Sequence, residues 1–232
     1  MKSNTVSLWA QEQIPEYQYL SSGLSGILAG QNSPVCPGVN ADSYGQVEAA
    51  AALGLQAERI YFSGPKKQAE DILRAIGKCR FVADSWDELQ RIDQMARLDA
   101  QERTLVPVGL RVIPEHYDDG NQPGLLEKEL PDLAQKIKTL PAISVRGCFV
   151  QGRIGTLHGD ALGRYFRECY ELAKRITVIL PCAMPYLCIV GGAEAAYKNA
   201  EDYPETLEAF LRQAKIVAAQ NETAFYAKLL IT

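Results

Sequence analysis

Short apolar runs and amphipathic stretches alternate along most of this chain. "PGVNA" (37–41) leads into a helix over Tyr44–Leu53 that Gly54 ends. "RIYFSG" (Arg59–Gly64) predicts a strand. "KKQAEDILRAIG" (Lys66–Gly77) predicts a helix with Ala69, Ile72, Leu73 and Ile76 on one face. "RFVA" (80–83) is the next strand, and a helix runs from Ser85 to about Arg97. "VPVGLRVIP" (Val106–Pro114) reads as a buried strand, followed by the polar loop "EHYDDGNQPG" and a helix from about Leu125 to Lys138. "AISVRGCFV" (Ala142–Val150) is another strand. The helix Asp160–Ile176 carries Leu162, Tyr165, Phe166, Cys169, Leu172 and Ile176 as its inner stripe. "YLCIVGG" (Tyr186–Gly192), a helix around Glu201–Ala219 burying Tyr203, Leu207, Phe210, Leu211 and Ala214, and "AFYAKLLIT" complete the series.

The result is seven strands separated by helices, and nearly all the strands are apolar on both faces. Such strands suit a parallel sheet covered on both sides. The pattern alone allows an open doubly wound sheet or a (β/α)8 barrel. No Gly-x-Gly-x-x-Gly follows an early strand, which weighs against the dinucleotide-binding version. No linker-like or low-complexity stretch divides the chain, so residues 1–232 read as one domain.

One phrase occurs twice: "ADSYGQ" at Ala41–Gln46 and "ADSWDE" at Ala83–Glu88. Each precedes a helix and has the form of a capping box. Ser43 or Ser85 would accept from an orphan amide, and Gln46 or Glu88 would reach back to the cap.

Composition narrows the function classes. The chain is 47% hydrophobic and 22% charged with a net charge of −4, which is ordinary globular make-up. It has no basic block, which argues against nucleic acid as the main partner. No apolar run approaches the ~20 residues a membrane span needs. Six scattered cysteines without paired spacing read as reduced thiols of a cytoplasmic protein. His116 and His158 lack metal-ligand spacing, so no metal is expected.

The order of these motifs resembles the fold-type III pyridoxal-phosphate (PLP) enzymes, and within them the ornithine/diaminopimelate decarboxylases. "NADSYGQVEAAAALGLQAERIYFSGPKKQAEDILRA" (Asn40–Ala75) is similar to their second and third βα units, including a "Phe-x-x-x-x-Lys" pattern. "FVADSWDELQRI" resembles their "Asp-Ser-x-x-Glu-Leu" unit and "VGLRVIP" their "Leu-Arg-Ile/Val-x-Pro" strand. "GCFVQGRIGT" and "CIVGGA" sit where the family carries "Gly-x-x-x-His-x-Gly-Ser" and "Ile-Gly-Gly-Gly".

The resemblance implies a PLP-type (β/α)8 barrel, incomplete here and without the family's C-terminal all-β domain. It implies PLP-dependent decarboxylation of a basic or diamino acid, or a racemase-like activity on the same barrel. A non-catalytic PLP-binding or interaction protein is the alternative from another class. The family carries its PLP lysine in "Lys-Ala-Asn" at the end of the first strand. Lys2-Ser3-Asn4 fits that triplet, with "TVSLWAQ" as the following helix. A lysine amine is the group through which PLP is attached. Thr156, Gly191 and Gly192 would hold the cofactor phosphate, and Arg111 would support the site. Arg153 takes the place of the ring-stacking histidine, or Gln151 does if the loop is aligned from Gly147. Asn40 and Gln46 stand where acidic residues are usual, and Ala193 replaces the third glycine. The family's "Glu-Pro-Gly", whose glutamate pairs with the pyridine nitrogen, would follow "AKLLI". Counting seven strands, we expect an open barrel edge, homo-oligomerisation or self-association through it, and little decarboxylase activity from the chain as written.

Overall fold

The computed structural model describes residues 6, 9–10, 12–22, 38–99, 105–118, 120–152, 157, 159–180, 182–191, 197, 204–224 and 227–232. All seven strands read from the sequence are present and parallel. They are Val39–Ala41 (β2), Ile60–Phe62 (β3), Arg80–Ala83 (β4), Val106–Ile113 (β5), Ile143–Val150 (β6), Tyr186–Ile189 (β7) and Lys228–Ile231 (β8). The helices between them are Tyr44–Ala52 (α1), Ala69–Ala75 (α2), Trp86–Leu98 (α3), Leu130–Ile137 (α4), Asp160–Ile179 (α5) and Pro204–Ala224 (α6).

A further strand, β1, comes from a segment that the hydrophobic pattern did not single out: Gln18–Tyr19 and Ser21–Ser22. Gln18 and Tyr19 pair in parallel with Leu230 and Ile231 of β8. Ser21 and Ser22 pair in parallel with Val39 and Asn40 of β2. The Leu20 amide donates to the Ile231 carbonyl at 2.8 Å and the Ser21 amide to the Gly38 carbonyl at 3.2 Å. One short segment therefore bridges the two edges that the seven-strand count leaves open. The order β1-β2-β3-β4-β5-β6-β7-β8 returns to β1, the connectivity of a (β/α)8 barrel.

Burial on both faces explains the continuous apolar runs. Leu20, Tyr61, Val82, Phe149, Tyr186, Cys188 and Leu230 fill the barrel interior as one cluster. Their neighbours along each strand, such as Ile60 and Phe62 beside Tyr61, face the helices and join a larger outer cluster. The interior is aromatic. Tyr61 and Phe149 lie 5.2 and 6.0 Å, centroid to centroid, from Tyr186. Gly109 and Gly147 make room for that ring. A Cβ on Gly147 would come within 2.0 Å of Tyr186, and one on Gly109 within 2.5 Å of its hydroxyl.

Two predicted elements differ in detail. Leu125–Leu126 does not start a helix. It pairs with Val112–Ile113 as a short strand, and α4 begins only at Leu130, just before Pro131, where proline's missing N–H costs nothing. The described part of "TVSLWAQ" is helical but precedes the first strand rather than following it. Val6, Ala10 and Ile14 are buried, Trp9 stacks on Phe210 at 6.3 Å, and the Tyr17 hydroxyl donates to the Ala214 carbonyl at 3.1 Å. This segment therefore packs on α6 and leads into β1.

Candidate functional site

A parallel barrel gathers all its strand carboxyl ends on one face, and the interior residues nearest that face form its mouth. Arg111 points into this mouth from β5. One guanidinium nitrogen donates to Gln151 Oε1 at 3.0 Å and another to the Ser63 carbonyl, which ties the ends of β3, β5 and β6 together. Its Nε has no partner, nor do Ser63 Oγ and Asn40 Oδ1. Burial pulls the Arg111 pKa down, while Asp84, Glu88 and Asp42 hold it up.

Beside Arg111 lies a buried ion pair that was quoted in the sequence motifs but not taken as part of the site. Lys67 is turned inward after Lys66, which has a left-handed backbone (φ 56°). The Lys67 ammonium donates to the Gly64 carbonyl at 2.8 Å, the Val82 carbonyl at 2.7 Å and Glu88 Oε2 at 3.1 Å. Glu88 is also buried, and its Oε1 accepts from the Lys67 amide at 3.1 Å. Arg91 donates to the Lys67 carbonyl at 2.9 Å. Burial lowers the Lys67 pKa and Glu88 opposes that shift. Asp84, at the end of β4, has its pKa pushed up by burial and then by Glu88, against Lys67 and Arg111. The signals that could have found this pair were "Phe-x-x-x-x-Lys" and the Glu of the second capping phrase.

The two capping phrases share a geometry that differs from the expected box. Gln46 Oε1 accepts from the Asp42 amide at 2.8 Å, and Glu88 Oε2 from the Asp84 amide at 3.1 Å. In both cases the long side chain reaches the Asp before the serine. Ser85 Oγ accepts from the Glu88 amide at 3.2 Å, whereas Ser43 makes no side-chain cap.

Of the residues singled out by resemblance, Arg111, Gln151 and Asn40 sit at the strand ends around this mouth. Gly191 follows β7 with φ 76°, and its amide donates to Thr232 Oγ1 at 2.7 Å. Lys2, Arg153, Thr156 and Gly192 lie outside the described residues. The first strand ends on Ser21-Ser22, and the sequence holds no lysine between Lys2 and Lys66. Among the described residues no group of three or more His, Cys, Asp or Glu is placed to hold a metal ion, and no helix is long and apolar enough to cross a membrane.

The donor set suits part of PLP. Arg111 and the unpartnered Ser63 and Asn40 atoms can take an anionic group and a ring hydroxyl. Among the described residues Lys67 lies beside Arg111, and all three of its ammonium protons are already engaged.

Comparison with known proteins bears on the fold and on part of the sequence. Residues 36–123 match the sequence profile described as pyridoxal-dependent decarboxylase, pyridoxal binding domain. Diaminopimelate decarboxylase of Haemophilus influenzae is 30% identical over 118 residues, covering 45% of this chain and 28% of that protein. Among solved structures, diaminopimelate decarboxylase from Helicobacter pylori complexed with L-lysine is 17% identical with a TM-score of 0.73. Arginine decarboxylase of Paramecium bursaria Chlorella virus is 16% identical with a TM-score of 0.73. Ornithine decarboxylase from Entamoeba histolytica is 13% identical with a TM-score of 0.69. Each of these covers 99% of this chain, which in turn spans 60% of each of theirs. The chain has the barrel fold of the fold-type III PLP decarboxylases and resembles them in sequence.

Proposed function

We propose that this decarboxylase-type barrel binds PLP non-covalently at its carboxyl mouth and does not itself turn over amino acids. The observation that carries the reading is the set of three polar atoms left without partners around that mouth: Arg111 Nε, Ser63 Oγ and Asn40 Oδ1. Buried polar atoms are normally paired, so three together suit a polar ligand. Arg111 supplies the positive charge for the cofactor's anionic group, and Gln151 and the Ser63 carbonyl fix its orientation. The Lys67–Glu88 pair holds the ends of β3 and β4 beneath it. Leu230, Cys188, Phe149 and Tyr61 form an apolar floor that keeps water out from below. When bound to an amine, PLP serves as an electron sink for bond breaking at the amino acid's α-carbon. Among the described residues Lys67 lies beside these groups, and its ammonium is fully hydrogen-bonded.

A second reading is PLP-dependent decarboxylation of a basic or diamino acid, with the cofactor on Lys2 and its phosphate at Thr156, Gly191 and Gly192. The similarity of residues 36–123 to the pyridoxal-binding domain favours it.

One experiment separates the two readings: equilibrium dialysis with PLP, then borohydride reduction and peptide mapping. Carbon dioxide release from ornithine, arginine, lysine and diaminopimelate is measured alongside. We expect saturable binding that dialysis reverses, no labelled lysine peptide and no carbon dioxide release. Arg111→Met should weaken binding about tenfold or more, the scale of one charge-assisted contact. A label on Lys2 together with turnover would establish the second reading, and absence of PLP binding would remove both.

A further inference from the structure

A separate cavity lies at the opposite end of the barrel. About 410 Å³ in volume, it opens among the strand amino ends, with Arg80 at the start of β4, Val106 and Pro107 at the start of β5, Arg146 on β6 and Pro185 just before β7. Its walls are otherwise mostly apolar, and Glu58 is the one acid among the lining residues. Lys228 begins β8 beside it, paired in register with Tyr186.

Among the described residues no ion pair joins Arg80, Arg146 or Lys228 to a carboxylate. Arg80 lies over the Tyr186 ring at 5.3 Å, and its buried Nε has no hydrogen-bond partner. The Tyr186 hydroxyl, fully enclosed against Gly109, also has none. Burial lowers the Lys228 pKa, and the positive charges of Arg80 and Arg59 add to that lowering.

We propose that the amino-terminal mouth of the barrel is a second binding site, for a small organic oxyanion held by Arg80 and Arg146. Two guanidiniums on an apolar cavity recognise a phosphate or carboxylate group in bidentate fashion, while the walls accept an apolar body. This site is independent of the carboxyl mouth, from which the Tyr61–Phe149–Tyr186 cluster separates it.

Isothermal titration of the full chain with inorganic phosphate, and separately with succinate, tests this. The Arg111→Met background is used so that the carboxyl mouth contributes little. We expect saturable binding with a Kd near ~1 mM or tighter for at least one probe, and the stronger probe tells phosphate from carboxylate recognition. Arg80→Gln and Arg146→Gln should each weaken it about tenfold, and Arg80→Lys less. Arg146 is exposed, so its variant should fold even if Arg80→Gln does not; circular dichroism checks both. No saturation with either probe, or equal affinity in the Arg146→Gln variant, overturns the proposal.

Discussion

Lys67 and Glu88 show why a single residue can matter to the whole mouth. Each is buried, and each is the other's counter-charge. Removing one partner leaves a charge stranded in a low-dielectric interior. Lys67→Met should therefore cost about 3–5 kcal/mol of stability in urea unfolding. The double variant Lys67→Met/Glu88→Leu should recover part of that loss, and equal loss in both would mean that the ion pair is not the cause. Asp84 gives a pH signature. Its native pKa lies above the ordinary 3.8, so between 3.8 and the raised value the native state holds more protons than the unfolded chain. Stability from this group is present below pH 3.8 and is lost as pH rises through the native pKa. Asp84→Asn should flatten that part of the stability–pH curve, as read from urea midpoints at closely spaced pH values.

At the scale of elements, the two capping phrases look alike in sequence but act differently. Ser85 accepts from the Glu88 amide at the start of α3, and Ser43 makes no such bond at the start of α1. Ser85→Ala should thus cost ~1 kcal/mol, and Ser43→Ala only a few tenths. Chemical denaturation of the two variants compares them directly, and equal losses would contradict the difference in capping. The short loops after β3 and β4 bring these helix starts to the carboxyl mouth, where Asp42 and Asp84 face Arg111 and Lys67.

For the whole molecule, closure depends on five residues. Segment 18–22 bridges β8 and β2, so the edge on which self-association was expected is already paired. Leu20→Pro removes the amide that reaches the Ile231 carbonyl and leaves that acceptor without its donor. We expect a loss of about 1–3 kcal/mol and concentration-dependent association in light scattering, because an opened barrel exposes two pairing edges. An unchanged melting curve would show that closure does not rest on this strand.

The hydrophobic pattern by itself determined seven strands, six helices and their alternation, because runs buried on both faces leave a signal that needs no long-range knowledge. It placed Arg111 and the strand ends, and the order of its motifs pointed to the PLP-barrel fold. β1 was not legible, because "QYLSS" has no sustained apolar run and becomes a strand only between two partners that both come later in the chain, Val39–Asn40 and Leu230–Ile231. The Lys67–Glu88 pair was hidden because each residue alone looks like an ordinary surface charge. Only the packed fold turns both inward against each other, just as it alone gathers Arg80, Arg146 and Lys228 around the opposite mouth, because residues distant in sequence meet only when the strands close into a ring.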